Sequence, residues 1–210
     1  MLRRTFQSII GTYISGNQLI YAVTDQVEVG IYLTENLADS TSENYSEQLK
    51  EIVESTFKQV FPDKTISVSV ESGISPPDKA TDSVDEAIDW WEDQGDYSHA
   101  NSLLFDGDEV SWSEFIGYGL YRTPNNVMMK AELIPYLDNY RHLFIHEIGH
   151  NFGLRHSDYS RNGDTVSLMY PTPSDDHLEP NFEFSTGSKQ LIRDQHEYIK
   201  EHKRLTYPHL

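Results

Sequence analysis

Three histidines in one short stretch have the spacing of a metal site. His146 and His150 are four residues apart, so on a helix they project from one face, with Cβ atoms roughly 5–6 Å apart. Two neutral imidazoles at that spacing can bind one zinc ion, and Gly153 can end the helix in a turn that brings back His156 as a third ligand. Three protein ligands leave the fourth tetrahedral position for water, which is typical of a catalytic site.

Glu147 follows the first of these histidines directly. Its carboxylate can reach a water on the metal without taking a coordination position itself. We therefore expect Glu147 to be the general base that removes a proton from this water as the water attacks a substrate carbonyl.

A second motif lies a short distance downstream. Residues 146–156 read H-E-I-G-H-N-F-G-L-R-H, and residues 167–171 read S-L-M-Y-P. The two motifs in this order resemble the metzincin clan of zinc endopeptidases. The resemblance implies that Met169 lies beneath the zinc in a Met-turn, as an apolar floor and not as a ligand. Ser157 is similar to matrixins, whereas Asn151 is closer to the reprolysin pattern, so the motif indicates the clan and leaves the family open.

The resemblance also implies a cleft for a peptide. The clan has a short antiparallel strand at the edge of its sheet, which corresponds here to residues 117–122. Gly119 and Leu120 are then expected to offer backbone N–H and C=O groups to an extended peptide substrate by strand addition. Tyr170 and Pro171 are expected to line the pocket for the residue after the scissile bond.

The rest of the chain predicts the elements that position this site. Alternating or helical spacing of apolar residues predicts strands near 19–33, 65–71, 99–107, 117–122 and 127–132, and helices near 44–60, 84–94, 142–152 and 188–203. Ser185 is the expected N-cap of the last helix. Residues 72–83, rich in Ser, Pro and Asp, are predicted to form a surface loop.

These elements match an α+β fold of the metzincin type. We expect a twisted, mostly parallel five-stranded sheet with an antiparallel edge strand and two helices in an upper lobe, at about residues 19–153. A small lower lobe, at about residues 154–210, would hold the Met-turn and the C-terminal helix. The chain, residues 1–210, is then a single catalytic domain.

The composition limits the partners of the protein. The chain has 34 acidic and 16 basic residues, a net charge of −18, and the acidic residues are spread along its length. No basic patch is evident for nucleic-acid phosphates, so we expect no nucleic-acid partner. The acidic surface resembles that of halophilic proteins, which are stabilised by screening salt. The chain has no cysteine, which excludes disulfides and thiolate zinc ligands.

The amino terminus has two interpretations. Arg3 and Arg4 resemble the core of a twin-arginine export signal, but no A-x-A cleavage site follows, so residues 1–18 are either an export signal or an N-terminal arm. No apolar run reaches the ~18–20 residues of a membrane span. We expect a secreted or extracellular monomer rather than a cytoplasmic protein.

Three further features have a functional and a structural interpretation. His142 lies on the same helix face as His146, and we expect it to support a ligand or cap the helix rather than to be a fourth ligand. Asp106, Asp108 and Glu109 are either a calcium site or a plain acidic loop, since calcium prefers carboxylate oxygens. Trp90 and Trp91 are expected to fill the core on one side and to be partly exposed on the other.

The motifs favour a zinc-dependent endopeptidase. The alternative is a non-catalytic zinc-binding surface or viral component on a metzincin scaffold, although such scaffolds usually lose the glutamate or a histidine. A zinc hydrolase acting on a substrate other than a peptide is disfavoured by the Met-turn and the candidate edge strand.

Overall fold

A computed structural model describes residues 25–94, 99–112, 117–119, 124–130, 137–162, 165–170, 179–180 and 182–205. The interpretations of residues 1–18, Leu120 and Pro171 lie outside these residues. Among the described helices, none is both long enough and apolar enough to cross a membrane.

Five strands form one sheet in the order β2-β1-β3-β5-β4. The strands are β1 (Gln26–Thr34), β2 (Thr65–Ile74), β3 (Ala100–Asp106), β4 (Gly117–Gly119) and β5 (Asn125–Lys130). The first three strands and β5 run parallel, whereas β4 pairs with β5 in the antiparallel direction at the edge of the sheet. The predicted sheet, mostly parallel with one antiparallel edge strand, is confirmed.

Six α-helices connect and cover these strands in the described part of the chain. They are α1 (Glu35–Ser40), α2 (Tyr45–Val60), α3 (Asp78–Asp82), α4 (Val84–Gln94), α5 (Leu137–Asn151) and α6 (Thr186–His202). The four longer helices were predicted, and the Ser185 side chain caps α6 by accepting a hydrogen bond from Ser188 N at 3.0 Å.

Two short helices correct the predictions from the sequence. Helix α1 begins directly after β1, where the Thr34 hydroxyl accepts a hydrogen bond from Leu37 N. The predicted surface loop at 72–83 is wrong over much of its length, because β2 continues to Ile74 and α3 buries Ala80 completely. Helices of five or six residues are too short to show an apolar period, so composition alone suggested a loop.

The two faces of the sheet pack against different helices. The core on one face contains alternate residues of β1 together with residues of α2, α5 and α6, namely Val27, Val29, Ile31, Leu33, Phe57, Phe144, Ile148 and Ile192. The other face packs against α3 and α4 through Ile88, Leu103, Phe105 and Val127. Trp91 is buried in this second cluster and Trp90 is half-buried, as expected for a pair that fills the core on one side.

The chain after α5 packs onto the first of these cores. Leu154, Leu168, Met169 and Phe184 belong to the same cluster as the inward residues of β1 and α2. A small sheet of two-residue strands, which was not predicted, lies in this region: β6 (Arg161–Asn162), β7 (Thr165–Val166) and β8 (Glu179–Pro180). Helix α6 is also joined to the start of the sheet, because Lys64 forms ion pairs with Asp25 at 2.9 Å and Glu197 at 2.5 Å.

Candidate metal centre

Helix α5 and the turn after it bring three imidazoles together. Buried Phe144, Ile145 and Ile148 anchor the helix, which leaves His146 and His150 on another face with their Nε2 atoms 3.2 Å apart. The helix ends at Asn151, and Gly153 adopts a left-handed φ of 74° while its N–H bonds to His150 O at 2.8 Å.

The turn returns the chain so that His156 completes the group. Its Nε2 atom lies 3.1 Å from Nε2 of His146. The three ligand atoms lie within 4.8 Å of one another, and no other set of three or more metal-ligating side chains comes together in the described part of the chain. The predicted convergence of three imidazoles is therefore what the structure shows.

The geometry of this group fits a zinc ion. A tetrahedral zinc with Zn–N distances of about 2.0–2.1 Å separates two ligand nitrogens by about 3.3 Å. The two Nε2 spacings from His146, 3.2 Å to His150 and 3.1 Å to His156, are close to this value. His146 Nδ1 donates to Leu168 O at 2.8 Å, and His150 Nδ1 donates to Leu154 O at 2.7 Å. These bonds fix the tautomer that leaves Nε2 unprotonated and facing its neighbours.

Burial keeps the imidazoles of His146 and His150 neutral. Desolvation, with the charges of His150 and His156, lowers the pKa of His146 to about 3. Burial also lowers the pKa of His150. A neutral imidazole is the form that ligates a metal, so these two histidines are in the binding form at neutral pH.

The side chain of Glu147, the residue that directly follows His146, is buried. Only 8% of Glu147 is exposed, and burial raises the pKa of its carboxyl to about 8. Nothing in the described part of the chain donates a hydrogen bond to this carboxyl, whereas Glu147 O accepts one from Asn126 Nδ2 at 2.8 Å. A cation held by the histidines would act against the rise in pKa, since a nearby positive charge favours the carboxylate.

Met169 lies under the carboxyl-terminal half of helix α5. Tyr170 N bonds to Ser167 O at 3.0 Å, which closes a turn around Leu168 and Met169. Met169 is fully buried, and a Cβ built on Gly149 would lie 2.7 Å from its sulfur. Leu168, the residue before Met169, supplies the carbonyl that orients His146. The turn therefore contacts helix α5 through the backbone of Leu168 and through the sulfur of Met169.

His142 is buried one helical turn before His146. Its Nε2 atom lies 3.5 Å from Tyr170 O, and burial lowers the pKa of its ring. His142 is not a member of the group of converging ligand nitrogens. It contacts the turn that carries Met169, which is a supporting position rather than a ligand position.

The candidate substrate residues are only partly described. Gly119 ends strand β4 and faces Asn126 of β5 across the sheet. The Tyr170 ring packs at right angles to the Tyr159 ring, with centroids 5.0 Å apart. Tyr159 is 40% exposed and was not singled out from the sequence, because an isolated tyrosine in a short linking segment gives no periodic signal.

The acidic residues after β3 hold a turn. Asp106 accepts a hydrogen bond from Asp108 N at 3.1 Å, and Glu109 accepts from Asp106 N at 3.3 Å. Glu109 also accepts from the Thr34 hydroxyl at 2.7 Å. A calcium site there remains a prediction from the sequence.

A buried group of polar side chains lies between helix α5 and the sheet, and sequence reasoning did not identify it. Asn151 Nδ2 donates to Ser102 Oγ at 2.9 Å, to Asn101 O at 3.1 Å and to Asn126 Oδ1 at 3.3 Å. All four residues are at most 1% exposed. The sequence gives one indication of this group: two asparagines, a residue type that is rare in strands, stand at the start of β5.

Comparison with known proteins places the chain in a family. A family model described as Metallo-peptidase family M12B Reprolysin-like matches residues 44–157, more than half of the 210 residues. The chain therefore belongs to the reprolysin-like family of M12B metallopeptidases. The predicted resemblance to a metallopeptidase clan is confirmed, and the family, which the sequence motif left open, is the reprolysin-like one.

The solved structures that are similar to this chain include a metalloproteinase at low sequence identity. Metalloproteinase-II from Bacteroides fragilis shares 17% sequence identity, with a TM-score of 0.49 over 82% of this chain and 54% of that chain. This chain therefore spans about half the length of that protein. No match was found among curated proteins.

Proposed function

We propose that this metallopeptidase is a zinc-dependent endopeptidase in which Glu147 is the general base. The observation that supports the proposal is the convergence of three imidazole nitrogens, with Nε2 spacings of 3.1 and 3.2 Å from His146, on a helix that also carries the buried Glu147. His146, His150 and His156 would hold the ion, and Met169 would pack beneath this group. The bound ion supplies Lewis acidity that activates a water and polarises the scissile carbonyl.

The residues of the chain perform the remaining steps. Glu147 takes a proton from the attacking water and transfers it to the leaving amine. Burial raises the pKa of its carboxyl, and the cation held by the histidines would favour the carboxylate form that accepts the proton. The substrate would extend along the edge strand at Gly119 and Leu120, with Tyr170 and Pro171 at the pocket for the residue after the scissile bond.

Several attributes are part of the same proposal. The protein would act as a monomeric single catalytic domain on peptides or proteins outside the cytoplasm. The alternative function is a non-catalytic zinc-binding surface or viral component, in which the histidines hold zinc and Glu147 has no chemical role. This alternative predicts stoichiometric zinc without hydrolysis.

The test compares the parent chain with Glu147→Gln. Zinc content is measured by metal analysis, and hydrolysis is measured on a quenched peptide library at low and molar salt. We expect one zinc per chain in both proteins and a loss of hydrolysis of at least about a hundredfold in the variant, since general bases contribute about 10²–10⁴-fold. Phenanthroline should abolish parent activity and added zinc should restore it.

Glu54→Gln is the matched control. Glu54 is exposed on helix α2, so the same chemical change there should leave hydrolysis unchanged. Equal activity of Glu147→Gln and the parent would contradict the assignment of the base. A parent chain that holds zinc and cleaves no peptide would support the alternative.

A further inference from the structure

A single buried side chain connects strand β5 with helix α5 at Glu147. Asn126 is 1% exposed, and its Nδ2 atom donates to Glu147 O at 2.8 Å. Its Oδ1 atom accepts from Nδ2 of Asn151, the last residue of the same helix, at 3.3 Å. Asn126 therefore contacts helix α5 at the proposed base and again at the helix end that leads to the third histidine.

The same residue belongs to the strand pair at the sheet edge. Asn126 is the register partner of Gly119 in the antiparallel strand β4, and of Ser102 in the parallel strand β3. Ser102 Oγ also accepts from Asn151 Nδ2 at 2.9 Å. The backbone expected to bind the peptide and the helix that carries the base are thus joined through one residue.

The hydrogen bond to the backbone carbonyl of Glu147 is important for the position of its side chain, because the carboxyl itself accepts no hydrogen bond from the described residues. The position of the carboxyl therefore depends on where the backbone of Glu147 lies. A buried side-chain amide is costly to leave without a hydrogen bond. The Asn126 amide therefore holds the Glu147 carbonyl at hydrogen-bonding distance.

We propose that Asn126 is a positioning residue for peptide hydrolysis. It holds the Glu147 carbonyl and thereby fixes the distance between the base and the substrate strand added next to Gly119. This inference rests on the proposed function. Small displacements of reacting groups cost up to about a hundredfold in rate, so loss of this contact should reduce turnover.

The test compares Asn126→Ala with Asn125→Ala. Asn125 is equally buried, at 1% exposed, and lies in the same strand. Its Oδ1 atom accepts from Asn101 Nδ2 at 3.1 Å, and its side chain makes no hydrogen bond to helix α5 among the described residues. Each substitution removes one buried amide, and Asn126→Ala should lose more thermal stability because its side chain makes two hydrogen bonds where that of Asn125 makes one. Only the first removes the contact with Glu147 O.

Turnover, the Michaelis constant and metal affinity are measured separately. For Asn126→Ala we expect kcat to fall by about ten- to a hundredfold, with zinc affinity in a chelator competition and the absorption spectrum of the Co²⁺-loaded protein unchanged. For Asn125→Ala we expect kcat within about twofold of the parent. If Asn126→Ala does not fold, Asn126→Ser is measured in its place. Its kcat should again be lower than the kcat values of Asn125→Ala and of the parent.

Equal losses of kcat in the two variants of a working enzyme would overturn the inference and leave the proposed function intact. A fall in zinc affinity or an altered Co²⁺ spectrum in Asn126→Ala would also overturn it, because the residue would then support the metal and not the base. A parent chain that holds zinc and hydrolyses no peptide would overturn the proposed function and this inference together.

Discussion

Gly149 lies directly against the sulfur of Met169, because a Cβ at position 149 would come within 2.7 Å of Sδ. A glycine within a helix normally destabilises it by roughly 0.5–1 kcal/mol relative to alanine. The close contact explains why position 149 is a glycine, because the Met169 sulfur occupies the space that a Cβ would need.

Gly149→Ala should therefore destabilise the protein, although alanine favours helices. We expect a loss of about 1–3 kcal/mol in the free energy of unfolding, measured by chemical denaturation, because overpacking displaces the buried turn. Gly187→Ala in α6 is the control, since its nearest neighbour would lie 3.8 Å away. Combining Gly149→Ala with Met169→Leu should cost less than the sum of the two single changes. An increase in stability for Gly149→Ala alone would contradict the packing.

Zinc should stabilise the folded chain through the three histidines. Ligand binding to the native state alone adds about 2.7 kcal/mol when the free metal is 100 times its dissociation constant, so Tm should rise as zinc is added to metal-free protein. His150→Ala should remove most of this rise. His202→Ala, which changes a partly exposed histidine in α6, should keep it. An equal response in both variants would indicate that zinc binds elsewhere.

The stability of the metal-free protein should depend on pH through His196. Burial, with the positive charge of Lys64, lowers the pKa of this ring from 6.5 to about 4, and the ring packs edge-on against Phe61 at 5.2 Å. Because the unfolded state takes up the proton first, the contribution of His196 is complete above about pH 6.5 and is lost as the pH falls towards 4. His196→Phe should reduce the slope of unfolding free energy against pH in this range, and the part that remains comes from the buried His146 and His150, whose pKa values are also lowered.

His202→Phe on the same helix is the control for that experiment, because His202 is partly exposed. Its curve should keep the slope of the parent. A slope unchanged in His196→Phe would assign the pH dependence to other groups, such as the buried histidines of helix α5.

The acidic surface should make stability depend on salt. With a net charge of −18, repulsion between surface carboxylates opposes the compact state, and it is screened as the Debye length falls from about 10 Å at 0.1 M to about 3 Å at 1 M salt. The unfolding free energy, measured by chemical denaturation with urea, should rise over this range in sodium chloride. A flat response to sodium chloride would contradict the halophilic interpretation.

The histidine group could be predicted from the sequence because its geometry is local. A spacing of four on a helix and a glycine turn determine where His146, His150 and His156 lie, whatever the rest of the fold does. The bounds of α2 and α4 were predictable for a similar reason, since an apolar period of three to four residues runs through each helix.

The contacts of Asn126 could not be predicted in that way. Its partners Glu147 and Asn151 lie 21 and 25 residues away in the sequence, and they meet it only because β5 packs beneath helix α5. A polar residue in a predicted strand normally indicates a solvent-facing position, whereas here it is buried and satisfied by the helix. Short elements such as α3 were missed because five residues carry no measurable period.

The three ligand histidines come from one continuous segment, residues 146–156, so a bound ion would bridge only neighbouring turns of the backbone. A metal ion that joins residues so close in sequence reduces the conformational entropy of the unfolded chain only slightly. The sheet and its two hydrophobic clusters are built without any of these imidazoles. Stripping the metal should therefore loosen the end of α5 while the remainder keeps its architecture, in contrast to small zinc modules that collapse without their ion.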